Sequence, residues 1–271
     1  MKAAASLPAT QARRPAGVLR QLARLLALLF ICTLSLQLYF VGRIALMRWV
    51  DPASTSFERS EAWRLLREKG RIDWAQQWVD EDRISPHLKR SVIASEDAGF
   101  TQHGGVEWDA IESAWNKNQR AQARAEKLNE LASRRASVRG REPPPASAPK
   151  VIGGSTITQQ LAKNLFLDSE RTLVRKGQEL VITLTLEALL DKRRILEIYL
   201  NHVEWGEGVF GAQAAARHYF RTDAAKLGPG PAARLAVMLP APKRFEQRPA
   251  SPYVVSRAAT IAARAGAVQL P

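Results

Sequence analysis

The hydrophobic pattern begins with one long apolar run near the start of the chain. Residues 25–42, LLALLFICTLSLQLYFVG, contain no charge, and apolar residues resume after Arg43. A run of this length can span a bilayer as a helix while flanking arginines extend towards water. A cleaved signal peptide would need small residues after the run, whereas Tyr39 and Trp49 are bulky. We therefore predict an uncleaved membrane anchor over residues 25–47.

Beyond the anchor, the spacing of apolar residues is helical and no strand-rich region is evident. Ser85 and Pro86 predict the N-cap and first position of the helix that carries Glu96. Helical periodicity continues to residue 116. The pattern therefore predicts an all-α, predominantly helical domain.

Two later segments are also helical. Residues 172–202 predict a long helical stretch with a break near Asp191, and the part LVITLTLEALL is apolar almost all round, which predicts a central position. An alanine-rich segment, PAARLAVMLPAPKRF, predicts a buried helix that Pro240 and Pro242 stop.

The charge distribution argues against nucleic-acid binding. Of the net charge of +14, residues 1–50 account for +7 and residues 117–150 for +6, which leaves a nearly neutral remainder. More basic residues precede the apolar run than follow it. The positive-inside rule then predicts a cytoplasmic tail at 1–24 and an exported, periplasmic domain at 48–271.

Cysteine and histidine usage limits the chemistry. The only cysteine, Cys32, lies in the anchor, so the exported domain has neither a disulfide nor thiol chemistry. The four histidines show no close ligand pairing, so we predict no zinc site.

Glu96 is the first candidate catalytic residue. In a helix it would share a face with Val92, Ile93 and Phe100, and desolvation there would raise the pKa of its carboxyl group. A raised pKa suits a carboxylate that exchanges a proton near neutral pH. The alternative, open at this point, is a helix-end Glu-Asp pair bonded to nearby backbone or to a basic partner.

The segment GGSTITQQLAKNLFL supplies a second group of candidates. Ser155 or Thr156 can cap its helix, and the apolar stripe is Ile157, Leu161 and Leu165. The polar stripe, which could be a row of donors or a solvated face, consists of Gln159, Gln160, Lys163 and Asn164.

Basic residues and a second carboxylate follow this helix. The cations are Lys163, Arg171, Arg175 and Lys176, and Glu179 lies one turn from Arg175. Cations together with helix N-terminal amides suit an anionic leaving group, while a base deprotonates an incoming hydroxyl.

Five segments, in order, resemble a known family. SEDAGFTQHGG, GGSTITQQLAKNLF, RKGQE, KRRILEIYLN and RLAVMLPAPKRF resemble the signature blocks of the peptidoglycan glycosyltransferases, glycosyltransferase family 51. The resemblance covers about residues 60–250. The short anchor and the lack of transpeptidase motifs resemble the monofunctional branch of that family.

The resemblance implies a lysozyme-like helical fold behind an N-terminal transmembrane helix, in the inner membrane of a bacterium. It implies polymerisation of lipid II with inversion and release of undecaprenyl pyrophosphate. Glu96 matches the general base and Glu179 the second essential carboxylate. The further matches, all taken as substrate-binding, are Asp97, Phe100, His103, Ser155, Thr156, Gln159, Gln160, Lys163, Asn164, Arg171, Arg175 and Lys176.

The implied partners are lipid II, the lipid-linked growing glycan and the cytoplasmic membrane. The resemblance leaves open a divalent cation (Mg²⁺ or Mn²⁺) at the pyrophosphate, to which Glu179 could contribute, and contacts with other cell-wall synthesis proteins. A lytic, lysozyme-like enzyme and a non-catalytic membrane scaffold are the alternatives.

Two features depart from the family pattern. A basic, proline-rich insert at 117–150 is longer than expected, and it serves either as a mobile loop or as a contact for a partner or an anionic surface. Its first half can extend the preceding helix. Arg194 stands where many relatives have an acidic residue, so we assign it no role.

Overall fold

A computed structural model describes residues 15–138, 142, 145–146, 154–168, 170 and 172–271. The chain divides into two compact units, one ending at Leu46 and the other spanning Met47–Pro271.

The first unit contains helix α1 (Pro15–Leu46). Its part Gly17–Leu46 contains an 18-residue window with a mean hydropathy of 2.1, so by length and composition it can cross a membrane. The helix begins ten residues before the predicted anchor and includes Arg20 and Arg24, which we had placed in the tail. Long basic side chains are compatible with a helix that extends past the apolar core of a bilayer.

The second unit is built from ten helices and three short strands among its described residues. The helices are α2 (Ser56–Lys69), α3 (Pro86–Glu96), α4 (Trp108–Val138), α5 (Ile157–Phe166), α6 (Leu173–Leu189), α7 (Lys192–His202), α8 (Ala212–Phe220), α9 (Pro229–Met238), α10 (Pro242–Glu246) and α11 (Pro252–Ala265). The strands β1 (Ala75–Gln76), β2 (Glu204–Gly206) and β3 (Val209–Phe210) form one sheet in the order β1-β3-β2. The predominantly helical fold class is confirmed.

Two groups of packed helices form the core. In one, α3 packs against α9 and α11, and in the other α5 packs against α6, α7 and α2. The alanine-rich α9 is buried as predicted, because small side chains allow neighbouring helices to approach closely. As predicted, α9 ends just before Pro240, and Pro242 occupies the first turn of α10, where its missing N–H costs nothing.

The prediction that helical structure runs on from α3 into residue 116 is wrong for the connecting segment. The N-cap at Ser85 and Pro86 at the first turn are confirmed, but α3 ends at Glu96, and Asp97 has φ −163° and ψ 74°. The chain re-enters a helix only at Trp108, because polar partners of Asp97 from outside the helix hold the intervening loop. Phe100 therefore lies in that loop and is fully buried.

The first half of the predicted basic insert is helical, since α4 continues through residue 117 to Val138. The rest of the insert, apart from residues 142 and 145–146, lies outside the described residues.

The predicted break near Asp191 is confirmed, because this residue is the N-cap of α7 and accepts from the backbone N–H of Arg194 at 2.8 Å. The central position predicted for α6 is only partly right. Ile182 and Leu186 are fully buried, whereas Val181 and Leu184 are exposed on the other face.

Arg194 fixes the first residues of the second unit. Its guanidinium donates to the carbonyl oxygen of Met47 at 2.8 Å and to Asp51 at 2.7 Å. It also bonds Glu197 and lies over the ring of Trp78. This departure from the family pattern therefore has a structural role.

Two glycines with the same backbone conformation give a matched test of crowding. Gly70 (φ +68°) has nothing within 4 Å of an added Cβ, whereas at Gly208 (φ +72°) that atom would lie 2.0 Å from the carbonyl oxygen of Asp73. We expect Gly70→Ala to cost about 1 kcal/mol of unfolding free energy and Gly208→Ala more than about 3 kcal/mol. Thermal and urea unfolding of the two variants measure this, and equal losses would contradict the role of crowding.

Candidate active site

Glu96 is the last residue of α3. The helix buries Val92 and Ile93, which leaves the carboxylate half-buried at its C-terminal end. One carboxylate oxygen accepts from the Gln160 side-chain amide at 3.0 Å and the other from the Ser95 hydroxyl at 3.4 Å. Burial raises the pKa of Glu96, the two hydrogen bonds oppose that rise, and the charge of Asp97 adds to it. The raised pKa inferred from the sequence agrees with this environment.

The amide of Gln160 is held in one orientation by Tyr199. The buried Tyr199 hydroxyl donates to the Gln160 side-chain oxygen at 2.9 Å, which directs the amide nitrogen towards Glu96. Burial, and then the charges of Glu96 and Asp97, raise the pKa of Tyr199 well above its usual value. The hydroxyl therefore keeps its proton and donates this hydrogen bond throughout the physiological pH range.

Asp97 connects the loop after α3 to the start of α5. One of its carboxylate oxygens pairs with His103 Nε2 at 2.8 Å, and the other accepts from the backbone N–H of Ile157 at 3.0 Å. A carboxylate at a helix N-terminus is favoured by the exposed amides and the helix dipole. Gly105 N–H donates to the remaining nitrogen of His103 at 3.1 Å, so both ring nitrogens are engaged.

Thr156 is the N-cap of α5, which resolves the choice between Thr156 and the exposed Ser155. Its hydroxyl accepts from the Gln159 backbone N–H at 3.1 Å and donates to the Gly105 carbonyl oxygen at 2.6 Å. The Gln159 side chain returns a bond to the Thr156 backbone N–H, which completes a capping box.

The polar stripe of α5 is therefore not a uniform row of donors. Gln159 is buried and serves the cap, and Gln160 donates to Glu96. Lys163 is exposed and Asn164 is half-buried one turn further along. Two first-turn amides of α5 are occupied by Asp97 and Thr156. These two amides are therefore already engaged within the protein, whereas the side-chain cations are candidates for contact with leaving-group charge.

Glu179 organises a second charged cluster on α6. Its two carboxylate oxygens accept from Arg175 Nη1 at 2.8 Å and from Lys176 Nζ. Glu179 is almost completely buried, whereas Lys176 is half-exposed. The carboxylate thus holds two cations at the start of α6. Arg171, predicted to belong here, lies outside the described residues.

Two carboxylate clusters bear on the divalent cation that the resemblance leaves open. Both oxygens of Glu179 already bond cations, and hard divalent cations require available oxygen ligands. A second group, Asp97, His103 and Glu107, is close enough to surround an ion. However, the ring nitrogens of His103 are both used in hydrogen bonds.

The structure brings most of the predicted site residues into two neighbouring groups. The first, around the α3 end and the α5 cap, contains Glu96, Asp97, His103, Thr156, Gln159 and Gln160. The second is the Glu179 cluster. Gly105 links them, since a Cβ there would lie 2.8 Å from the Thr183 methyl, one turn beyond Glu179. Phe100 is fully buried beneath Lys192, so substrate contact by Phe100 is not favoured by its position.

Sequence reasoning missed two residues that support the site. Tyr199 lies within the fourth motif, but its spacing gave no indication that it orients Gln160. Glu187 accepts from the Thr158 hydroxyl at 2.5 Å and from Lys192 at 2.8 Å, which joins α5, α6 and α7. The Gln160 partner of Tyr199 and the Thr158 partner of Glu187 are distant in the sequence, so no local signal could identify these two contacts.

Because the Gln160 amide lowers the pKa of Glu96, replacing it should move that pKa upward. We expect Gln160→Met to raise the pKa of Glu96, as measured by ¹³C NMR of the carboxyl groups, with Glu96→Gln used to assign the signal. Gln159→Met is the matched control, because that amide contacts the cap rather than Glu96. An unchanged or lower pKa in Gln160→Met would contradict the assignment.

The chain matches the family model described as transglycosylase over residues 65–126 and 144–266. Three curated relatives are each called biosynthetic peptidoglycan transglycosylase. The protein of Paraburkholderia phytofirmans is 47% identical over 94% of this chain and 95% of its own length. That of Burkholderia thailandensis is 48% identical over 95% and 91%, and that of Burkholderia lata is 50% identical over 88% and 86%.

These matches agree with the geometry. All five motifs, and both clusters built from them, lie within the matched residues. The family model matches more than half of the chain, and the alignments with the relatives cover most of it. The chain therefore belongs to the transglycosylase family, the peptidoglycan glycosyltransferases that the five motifs indicated.

Proposed function

We propose that this chain, a peptidoglycan glycosyltransferase of cell-wall synthesis, polymerises lipid II with Glu96 as the general base. The observation that carries the proposal is the position of Glu96, half-buried with a raised pKa and hydrogen-bonded by an oriented amide. A carboxylate with a raised pKa is a stronger base than an exposed one.

In the proposed step, Glu96 takes the proton from the 4-hydroxyl of the acceptor GlcNAc. The hydroxyl oxygen then forms a bond to the anomeric carbon of the lipid-linked growing chain. The bond from that carbon to undecaprenyl pyrophosphate breaks, and the pyrophosphate keeps the electron pair. Attack from the opposite face inverts the linkage from α to β.

The cations of α5 and α6 support a site for the departing pyrophosphate. Arg175 and Lys176 are held by Glu179, and Lys163 is exposed on the neighbouring helix. Holding the cations in place before the reaction avoids the cost of ordering them as charge develops. Arg171 is proposed to join them on the basis of the family resemblance alone.

Membrane association would bring the catalytic unit to its lipid-linked substrate. Helix α1 has the length and hydropathy to anchor the chain. On the second unit, Leu173 and Val174 are 92% and 85% exposed, and Trp108 and Trp115 are also exposed. Exposed apolar groups of this size are typical of a membrane contact. We place the tail in the cytoplasm and the catalytic unit in the periplasm of an inner membrane.

A lytic activity is the second candidate, because a half-buried glutamate with a raised pKa can also donate a proton. The cluster of Arg175, Lys176 and Glu179 distinguishes the two, since cleavage of a neutral glycosidic bond needs no pyrophosphate site. Release of soluble muropeptides from purified sacculi, without polymer from lipid II, would favour lysis.

We expect Glu96→Gln to lower polymer yield from lipid II by at least 1000-fold, because the amide cannot accept the proton in the transition state. Ser95→Ala is the control, since its hydroxyl makes only a long contact to Glu96. Gel analysis of labelled lipid II gives the yield, and near-normal polymer from Glu96→Gln would remove Glu96 as the base.

The same substitution should not destabilise the fold at neutral pH. A carboxyl whose pKa is raised by folding contributes stability below its unfolded pKa and loses it as pH rises through the folded pKa. Glu96→Gln, which cannot ionise, should therefore melt at or above the wild-type temperature at pH 7. A lower melting temperature would show that loss of activity reflects misfolding.

Glu179→Gln tests whether this carboxylate holds cations or a divalent ion. Weakening its bonds to Arg175 and Lys176 should lower activity at least tenfold, since charge-assisted hydrogen bonds are stronger than neutral ones. A chelator should leave wild-type polymerisation within about twofold, because the oxygens of Glu179 are already engaged. Loss of wild-type activity in chelator, restored by Mg²⁺ or Mn²⁺, would instead establish a metal requirement.

A further inference from the structure

Helix α4 carries a continuous cationic face. Four cations recur at spacings of three and four residues, and two more follow seven and eight residues later, which places all six along one side of a helix about 47 Å long. All of them are exposed, and in chain order they are Lys117, Arg120, Arg124, Lys127, Arg134 and Arg135. We call this set the cationic face. Glu126 lies on another side of the helix, whereas Asp109 and Glu112 line one pocket together with Lys117 and Arg120 at the start of the face.

The cationic face is largely unpaired. Among the described residues, Arg134 forms an exposed ion pair with Glu130, and no other member of the face has a salt bridge. An exposed pair of this kind contributes little, so the charge of the face is not neutralised within the protein. Within the described part of the chain, α4 has no extensive packing against another helix, unlike α3 and α5. The face is therefore accessible to an external anion.

Apolar side chains lie within and beside the cationic face. Leu131 occupies the position in the three-four spacing between Lys127 and Arg134, and Val138 follows one turn later. These side chains are 42% and 88% exposed, and neighbouring Leu128 is 65% exposed. Cations interleaved with exposed aliphatic groups are typical of helices that lie in the headgroup region of an anionic bilayer.

The cationic face extends beyond the part of the chain that the family model describes. The family model matches residues up to 126 and resumes at 144, so the second half of the face lies in a segment that the model does not cover. The catalytic chemistry assigned to Glu96 does not use it. A protein tethered by α1 would hold α4 at high effective concentration near a bilayer, where a polybasic surface meets anionic lipid.

We infer that the cationic face of α4 docks on anionic phospholipid headgroups of the membrane in which the chain is anchored. Phosphate groups pair with the basic side chains, and Leu131 and Val138 enter the interface between headgroups and acyl chains. The inference rests on the proposed anchoring by α1.

The test uses the full chain in nanodiscs of phosphatidylcholine, with or without about 30% phosphatidylglycerol, a fraction within the range where surface charge attracts polybasic segments. With Cys32→Ser as background, a nitroxide on Leu131→Cys reports accessibility to a water-soluble nickel chelate. We expect at least a twofold fall in accessibility with the anionic lipid, reversed by 1 M salt because salt screens the attraction. The same label on Gln119→Cys, on another side of α4, should not respond.

A charge-matched pair of variants locates the effect. We expect a triple variant that combines Arg120→Gln, Arg124→Gln and Lys127→Gln to bind the anionic surface roughly 100-fold more weakly. Each cation near such a surface contributes about fivefold to the binding constant. The control variant combines Gln119→Glu, Ser133→Glu and Ser137→Glu, which change the net charge by the same amount but lie away from the cationic face. This variant should keep the response at position 131. Circular dichroism checks that both variants retain the helix.

The inference would be overturned if the label on Leu131→Cys had equally low accessibility to the nickel chelate in phosphatidylcholine alone. It would also be overturned if both triple variants lost the fall in accessibility. Protection that requires added lipid II rather than phosphatidylglycerol would also overturn it and assign the face to substrate. Incorporation into the discs and polymer yield are measured in parallel. If the chain remains in the discs and makes polymer but the label at position 131 does not respond, only this inference is contradicted. Loss of incorporation or of polymer would instead contradict the proposed function.

Discussion

The buried carboxylate of Asp97 is the contact on which the candidate active site depends. It binds His103 on one side and the first amide of α5 on the other, so it joins two segments separated by 60 residues. A buried charge is costly unless it is paired, and here a helix N-terminus and an imidazole supply the partners. Because this contact and the Thr156 bond to Gly105 fix both ends of the intervening segment, length can be added between them at small entropic cost. The part of the chain that the family model leaves unmatched lies within that segment.

The site separates the carboxylate with a raised pKa from the cations. Among the described groups, those that shift the pKa of Glu96 are neutral donors and one anion, so no nearby positive charge lowers it. The cations Arg175 and Lys176 are instead held by Glu179 on α6. A cation beside Glu96 would favour its ionised form and make it a weaker base. Gln160 orients the Glu96 carboxylate without placing a positive charge beside it, so the carboxylate is held in position and is not made a weaker base by a cation.

Local signals predicted part of this arrangement. The N-cap at Ser85, the break near Asp191 and the buried stripe of α5 depend on residues within one or two turns, so spacing and residue type were sufficient. The end of α3 was predicted wrongly, because the partners of Asp97 lie in a later loop and at the start of α5. The adjacent residues Gln159 and Gln160 were grouped as equivalent donors, yet one closes a cap and the other contacts the carboxylate. Sequence alone could not separate them, since the partner of each is set by tertiary contacts.

The prediction for α6 was only partly right for a more general reason. Apolar residues on every side of a helix indicate that each side avoids water, but they do not identify what replaces the water. Ile182 contacts the protein core, whereas Leu184 and Val174 are exposed in the second unit. In a chain whose first helix can cross a membrane, lipid is a second apolar environment beside the protein core. A helix face that contacts lipid and one that contacts the core have the same apolar sequence pattern. Only the observed burial distinguishes them, and it separates the face of α6 that packs on α5 from the face that remains available to a bilayer.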